Sequence, residues 1–525
     1  MIRAELTLSP EEYHSTQLLH AVAAKKTGVA KSEIKHVEVV RRSLDSRRVI
    51  RYIAQVEVYL KNEEVLQHDY CSPYLNCQKG APVVIVGAGP AGLFAALRAL
   101  ELGMKPVIIE RGKPVEQRRA DITLMVRSGT VNPDSNWCFG EGGAGTYSDG
   151  KLYTRSTKRG DVGAVLRKFV EHGADPEILI DAHAHIGTDR LPAIVASMRE
   201  TITSHGGEIH FGHRVDDFIV SENRVAGVHC SDGTTFYGQA VMLSTGHSAR
   251  DIYMLFHRNG WQLEAKPFAM GVRVEHPQKL IDDIQYHGPC HSPLLPPASY
   301  SLTSQVDGHG VFSFCMCPGG VIVPAATQDG QQVVNGMSNA SRSSRFANSG
   351  IAVTVAPQDV PEYERYGVLS MLRFQQDVEQ RVAAATGGGL VAPTQRLTDF
   401  CASRTSSSLN RTNYMGKTES LPVHELLPPF VTKSLQQAFR LFDKKMHGFH
   451  TSEASVLAVE SRTSSPLRIP RDIDGQHPQL KGLFPCGEGA GYAGGIVSSA
   501  IDGISQADNI WRLINESTLK KPKGT

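Results

Sequence analysis

Residues 2–8, IRAELTL, alternate apolar and polar positions, the period of a strand with one buried face. Leu18, Leu19, Val22 and Ala23 come next at helical spacing. Two more strand-like runs, HVEVVRRSL and VIRYIAQVEVYL, meet near Asp45-Ser46. The pattern predicts a small β-α-β-β module over residues 1–78, distinct from the rest of the chain.

A different pattern starts at residue 79. Val83–Val86 is a continuous β-branched run, as in a strand buried on both faces. An Ala-rich helix carries Leu93, Ala96, Leu97 and Leu100 on one side, and 105–110 reads as a second strand. After residue 160 the alternation continues: RLPAIVASMRETITSHGG is a helix stopped by Gly206-Gly207, and EIHFGHRVDDFIV, RVAGVHCS and TTFYGQAVMLSTG are strands. Residues 255–454 change character, with strand-like GVFSFCMC and VIVPAA and a helix through Val368, Met371, Leu372, Val378 and Val382. They read as an inserted domain, in which the Ser/Thr-rich 403–412 is an ordered loop. From 455 to 525 the chain returns to the first pattern: a strand ends at Cys486, and a helix opening near Gly494-Gly495 carries Ile496, Ala500, Ile504 and Ala507 on one face. One fold is thus assembled from both ends, 79–254 and 455–525.

Between the first strand and helix lies Gly87-x-Gly89-x-x-Gly92, with Pro90 and Ala91 opening the helix, and the second strand ends in Glu110, 18 residues past Gly92, followed by Arg111. Alone the glycine spacing is weak; in a strand-turn-helix-strand context it predicts a dinucleotide site. Gly87 makes the tight turn, Gly89 lets backbone approach a pyrophosphate, and Gly92 lets helix and strand pack. The helix N-terminus offers N–H groups to the phosphates, and Glu110 would accept from ribose hydroxyls.

Charge narrows the partners. The formal net charge of 525 residues is +2, so no global field recruits nucleic acid or anionic lipid. Arginines 41, 42, 47 and 48 surround the first hairpin, which reads as a solvated turn or as an RNA or partner contact. The N-terminus has no continuous apolar core of a signal peptide, and no run reaches membrane-span length. Nine cysteines without framework spacing predict a reduced, cytoplasmic protein. The oligomeric state is not readable.

Other residues are candidates for chemistry. The stretch FGEGGAGTYSDGKL, 139–152, has five glycines in fourteen residues and cannot pack a core. Strand alternation would put Cys315 and Cys317 on one face, about 6.7 Å apart, near the upper limit for a disulfide. Buried structural thiols, redox activity or substrate contact, and metal ligation are the alternatives. His183 and His185 share a face, but no further ligand supports a metal site, and none is expected. Arg273 and Arg462 stand in polar stretches of the expected cleft, as clamps for a carboxylate or phosphate or as salt-bridge partners.

The motifs RSLDSR, FGEGGAGTYSDGKL, HIGTD, FSFCMCPGG, ESRTSSPLRI and GEGAGYAGGI run over nearly the whole chain. Together with VVIVGAGPAGLFAA they resemble the uncharacterised bacterial FAD-dependent dehydrogenase family, within the single-nucleotide-domain branch of the glutathione-reductase-type flavoproteins. That resemblance implies an α/β fold: a Rossmann-like FAD-binding domain, an inserted α+β substrate domain, and a ferredoxin-like N-terminal β-α-β-β module. It implies FAD held without a covalent link, and hydride transfer between FAD and an unidentified substrate or NAD(P)H. NADH or NADPH would dock transiently, since no second G-x-G-x-x-G comes after a strand. It also implies roles. Gly142, Gly143, Ala144, Gly145 and Thr146 would offer backbone N–H groups to the cofactor. Val215 would lie by the adenine, Thr245-Gly246 would turn beneath the cofactor, and Gly487, Glu488, Gly494, Gly495 and Ile496 would meet its pyrophosphate and ribityl chain. Lys151 would stand near the flavin N1–C2=O edge, or be a surface lysine, and His247 would be a general acid or a structural histidine. An RNA-associated flavoprotein and a non-catalytic FAD sensor are the rival functions.

Overall fold

A computed structural model describes residues 1–65, 69–153, 160–289 and 292–519. The N-terminal module is a three-stranded antiparallel sheet in the order Ile2–Leu8, Arg51–Leu60, Ile34–Asp45. Helix Thr16–Thr27 covers one face, and the inward positions Leu6, Leu8, Val56 and Val58 pack with Leu19 and Ala23.

The parallel sheet has five strands, in the order Leu483–Pro485, Ala240–Leu243, Pro82–Val86, Lys105–Glu110, Glu208–Phe211. Its edge strand comes from the far end of the chain. Successive side chains point to opposite faces, so each strand feeds two cores. Val83 and Ile85 join helices Pro90–Glu101, Leu191–Ser204 and Ile496–Leu519. Val84 and Val86 join Phe218, Val228, Ile252 and Phe256 on the other side. This is why the strands read as continuous apolar runs. The segment TTFYGQAVMLSTG, expected as one strand, is two: Thr235–Tyr237 ends a three-stranded meander, and Ala240–Leu243 enters the parallel sheet. The break falls at Gly238, where a Cβ would lie 3.0 Å from the Pro82 carbonyl.

The third body is a seven-stranded mixed sheet, ordered Thr303–Val306, His309–Cys317, Phe346–Val355, Phe268–Pro277, Ser455–Glu460, Ala392–Arg396, Thr418–Ser420. Helices Ser370–Ala385 and Pro429–Lys445 bury their apolar faces against it. Ser455–Glu460, expected in the returning nucleotide-binding segment, is instead an inner strand here, paired with Phe268–Pro277 and Ala392–Arg396. Its SVLAV run fits a strand buried on both faces of either sheet, so composition does not separate the two. Among the described residues no helix is long and apolar enough to cross a membrane.

Candidate functional site

The three bodies enclose a cavity of about 1570 Å³. Ligand pockets for small molecules are typically about 300–1,000 Å³, so this one has room for a dinucleotide and a second molecule. One end is the glycine turn. Gly87 has φ +106°, and a Cβ there would lie 2.6 Å from the Ser244 carbonyl. Gly92 packs helix to strand so closely that its Cβ would lie 2.0 Å from the Gly87 carbonyl, and it does not line the cavity. Gly89 is different: a Cβ would meet only the Gly143 Cα, at 3.9 Å. At Gly246, Gly494 and Gly495 a Cβ would meet nothing within 4 Å. All four line the cavity, so backbone faces space that no protein atom fills.

Two helix N-termini converge there. Pro90 and Ala91 open one, Ile496 the other, and Gly145 is wedged between them, its Cβ position 3.2 Å from Pro90 and 3.3 Å from Ile496. Free N–H groups and two positive dipole ends suit an anionic group such as a pyrophosphate. Ala144, Val215, Thr245, Gly487 and Glu488 line the same space. Gly487 is fixed by its N–H to Asp502 (2.7 Å), itself held by Arg471 at 2.7 Å.

Glu110 is buried at the end of its strand. One carboxylate oxygen accepts from Ala88 N–H (2.9 Å), the other from Gly112 (2.9 Å) and Gly140 (3.0 Å). The acid therefore ties turn, strand end and glycine loop together while its edge faces the cavity. Arg111 spends its guanidinium on Asp251 (2.6 Å) and lies 4.4 Å from the Phe139 ring centre.

The glycine-rich loop is held from behind. Arg118, fully buried, donates to the carbonyls of Asn136 (2.9 Å), Trp137 (2.9 Å), Glu141 (2.8 Å) and Gly143 (2.8 Å). Sequence reasoning misses it, because a lone arginine in the polar helix Val115–Ser128 carries no signal. Two expectations for the loop fail. The N–H groups of Gly142 and Gly143 go to the carbonyls of Ala88 and Gly140, both at 2.8 Å. Gly142 and Thr146 also lie off the cavity, Thr146 buried with its hydroxyl on the Glu141 carbonyl (3.0 Å). Of the five, Gly143, Ala144 and Gly145 line the space, and Ser148, Asp149 and Gly150 join them further along the loop.

Toward the other end the cavity meets Lys151, Cys315, Asn335, Glu460 and Arg462. The Lys151 ammonium donates to the Met316 carbonyl. His247 Nδ1 lies 3.2 Å from Glu488 Oε2. Burial opposes the Glu488 charge, but this pairing and a backbone N–H from Gly495 bring its carboxyl below the usual range. Burial lifts the Glu460 carboxyl to about 7, with Arg273 opposing.

Both clamp arginines are otherwise employed. Arg273 is fully buried off the cavity, bonded to Glu460 (3.0 Å), the Cys315 carbonyl (3.1 Å) and Asn335 (3.1 Å). Arg462 reaches the wall, but its nitrogens are spent on Glu379 (3.2 and 3.1 Å), Ser248 (3.2 Å), Thr327 (2.8 Å) and Gln331 (2.8 Å). Cys317 is also off the cavity, for the strand bulges between Phe314 and Cys317 and strict alternation lapses there. Of the histidines weighed as ligands, His185 bonds the Ala340 carbonyl at 3.1 Å and His183 is exposed. His213, Cys230 and Asp232, unremarkable in the sequence, bring one donor atom each within 4.8 Å of one another.

The cavity's outer wall includes the N-terminal module, through Arg42, Leu44 and Tyr52, facing the loop at Leu294. Tyr52 donates to the Leu294 carbonyl (3.2 Å), and His14 Nε2 lies 3.0 Å from it. Arg42 bonds Tyr13 (2.8 Å), Glu177 (2.8 Å) and Asp181 (3.1 Å), and Arg47 bonds Asp45 (2.6 Å).

A parallel sheet, a glycine turn under a helix N-terminus and an acid closing the second strand define a dinucleotide-binding α/β protein. Residues 82–132 match the model of the FAD binding domain, 267–463 that of "FAD-dependent protein, C-terminal domain-like", and 1–59 a domain of unknown function. An uncharacterized protein of Clostridium beijerinckii is 37% identical over 514 residues, covering 94% of this chain and 95% of that one. The chain belongs to this family of FAD-dependent proteins, and it binds FAD. Among solved structures, a geranylgeranyl bacteriochlorophyll reductase-like protein of Thermoplasma acidophilum aligns at TM-score 0.36 and 12% identity, over 83% of this chain and 79% of that one. The flavin-dependent halogenase CmlS aligns at TM-score 0.34 and 13% identity, over 84% and 60%.

Proposed function

We propose that the chain is an FAD-dependent oxidoreductase with a non-covalently held cofactor and a small-molecule substrate that share the one cavity. The observation that carries this reading is the cavity's continuity. The glycine turn and the open glycine backbone line it at one end, and titratable side chains from the mixed sheet line it at the other. When bound, FAD supplies two-electron redox chemistry, exchanged as hydride. Glu110, oriented by three backbone N–H groups, would take the ribose hydroxyls. The two helix N-termini with Ala144 and Gly145 would take the pyrophosphate. Lys151, anchored on the Met316 carbonyl, sets a fixed positive charge in the wall where an anionic ring edge would gain from it. The His247–Glu488 pair can hold a proton at the cavity surface. Substrate would enter between the parallel-sheet domain and the mixed-sheet domain, under the N-terminal module. The electrons would come from the substrate or from a nicotinamide docking without its own domain.

The test is purification followed by anaerobic titration. Denatured protein should release a flavin that chromatography identifies as FAD, and NADH, NADPH or a metabolite from a panel should bleach it. Colourless protein that cannot be reconstituted, or bound FAD that no donor reduces, would defeat the proposal.

A further inference from the structure

Cys315 is unlike the other described cysteines. Its φ is +47°, a conformation a non-glycine residue adopts at a cost, and it lies where pairing with Phe346–Val355 lapses. The surroundings over-determine this backbone. The Phe314 carbonyl takes Ser349 Oγ at 3.4 Å, the Cys315 carbonyl takes Arg273 at 3.1 Å, and the Met316 carbonyl takes the Lys151 ammonium. As a result Cys315 faces the cavity while Cys317, fully buried behind it, places its Sγ 3.4 Å from the Cys315 carbonyl. Lys151, Arg273, Asp149 and Glu460 surround the pair. A thiol hydrogen bond from Cys317 lowers the Cys315 thiol below its ordinary range; burial opposes this, and Lys151 and Arg273 add to it. The same contact pushes Cys317 up. One thiolate at the surface and one protonated thiol behind it are the two roles that thiol-disulfide exchange divides between a pair. A carbon electrophile would need no second thiol.

We propose that Cys315 and Cys317 form a dithiol centre that reduces a disulfide-bearing substrate in this cavity, Cys315 attacking and Cys317 resolving. The Cys315 thiolate attacks one substrate sulfur; a sulfur–sulfur bond to Cys315 forms, the substrate's bond breaks, and the leaving thiolate takes the proton Cys317 gives up. Cys317 then attacks Cys315 Sγ and expels the second thiolate, which is protonated from solvent. The substrate gains two electrons and the dithiol loses them. Return to the dithiol draws two electrons from reduced FAD, and only that return rests on the function proposed above.

The experiment uses the full-length protein, reduced, desalted and treated with oxidised glutathione, then taken to peptide mass spectrometry. Wild type should release two glutathione molecules, and the peptide spanning both cysteines should lose two hydrogens. Cys317→Ser should stop at a glutathione adduct on Cys315, and Cys315→Ser should leave that peptide unreacted. In competition, iodoacetamide near pH 6 should alkylate Cys315 roughly tenfold faster than Cys71. Cys71 is the internal reference, exposed and with its thiol raised by Asp69. An unreacted wild-type peptide, the same lasting adduct in wild type and Cys317→Ser, or alkylation no faster than at Cys71 would overturn the proposal. None of these readings needs flavin. Colourless protein that exchanges would sink the flavin reading alone, and yellow protein that does not exchange would sink this one.

Discussion

Glu379 offers the sharpest test of how the mixed-sheet domain is fastened to the cavity wall. Its side chain is fully buried and its carboxylate takes five hydrogen bonds. Arg250 supplies two (2.9 and 2.8 Å), Arg462 two (3.2 and 3.1 Å) and Ser461 one (2.7 Å). Arg250 belongs to helix Arg250–Arg258 and Glu379 to helix Ser370–Ala385, so the cluster crosses between bodies. Burial raises the carboxyl, but the two guanidiniums outweigh it and hold the group at about 2, against 4.5 when exposed. At about 1.4 kcal/mol per unit, that depression corresponds to about 3 kcal/mol. Breaking a buried pair by removing one partner costs about 3–5 kcal/mol, so two routes agree. Glu379→Gln, which keeps the shape and sets amide N–H groups against guanidinium N–H groups, should destabilise by that amount near neutral pH. The folded-state value is the lower one, so the contribution is complete above about 4.5 and is lost as pH falls toward about 2. The gap between variant and wild type should narrow over that window. Urea unfolding monitored by tryptophan fluorescence measures it, and Arg462→Met in the Glu379→Gln background should recover part of the loss by removing a stranded charge. A gap under about 0.5 kcal/mol at neutral pH, or one that does not narrow in acid, would refute the reasoning.

Other expectations rest on single contacts. Gly92→Ala puts a Cβ 2.0 Å from the Gly87 carbonyl and should abolish soluble native protein, whereas Gly89→Ala has space and should fold with a reduced flavin-to-protein ratio. Glu110→Gln must leave at least one of three backbone N–H groups without an acceptor, at about 1–3 kcal/mol. It should lower the melting temperature and lose more flavin on dialysis than Lys151→Met, and unchanged occupancy would count against the assignment. Arg42→Ala removes the contacts to Tyr13, Glu177 and Asp181, and should speed proteolysis between the N-terminal module and residue 82 without altering the flavin spectrum.

Much of the fold is legible in the sequence because local pattern and tertiary role agree. The Val83–Val86 run is apolar at every position since alternate side chains feed different cores. Glycines 87, 89 and 92 carry roles that backbone sterics dictate, and those sterics are found in place. Ser455–Glu460 reads as part of the wrong sheet because two sheets ask for the same composition. TTFYGQAVMLSTG reads as one strand because a glycine between two β-rich runs marks a turn no more strongly than a bulge. The inserted segment's boundary therefore depends on pairing, which a single strand's sequence does not encode.

The site divides along a similar line. The open glycine at 89 can be found from spacing, and those at 246, 494 and 495 from the motifs that carry the family resemblance. Residues whose role depends on distant partners cannot. An arginine in a polar stretch reads the same whether it waits for a ligand, as expected of Arg462, or closes on a carboxylate 83 residues away, as it does with Glu379. Arg118 holds the glycine loop through five carbonyls, and nothing in its own helix distinguishes it. The tripeptide Cys315-Met316-Cys317 sits in an apolar run and reads as plain alternation. Its bulge is held by Lys151, Arg273 and Ser349, from a loop and two other strands. Cys315 lines the cavity and Cys317 lies behind it because three carbonyls are held from outside the strand. Substituting those holders is the way to learn how much of that turn belongs to the strand itself.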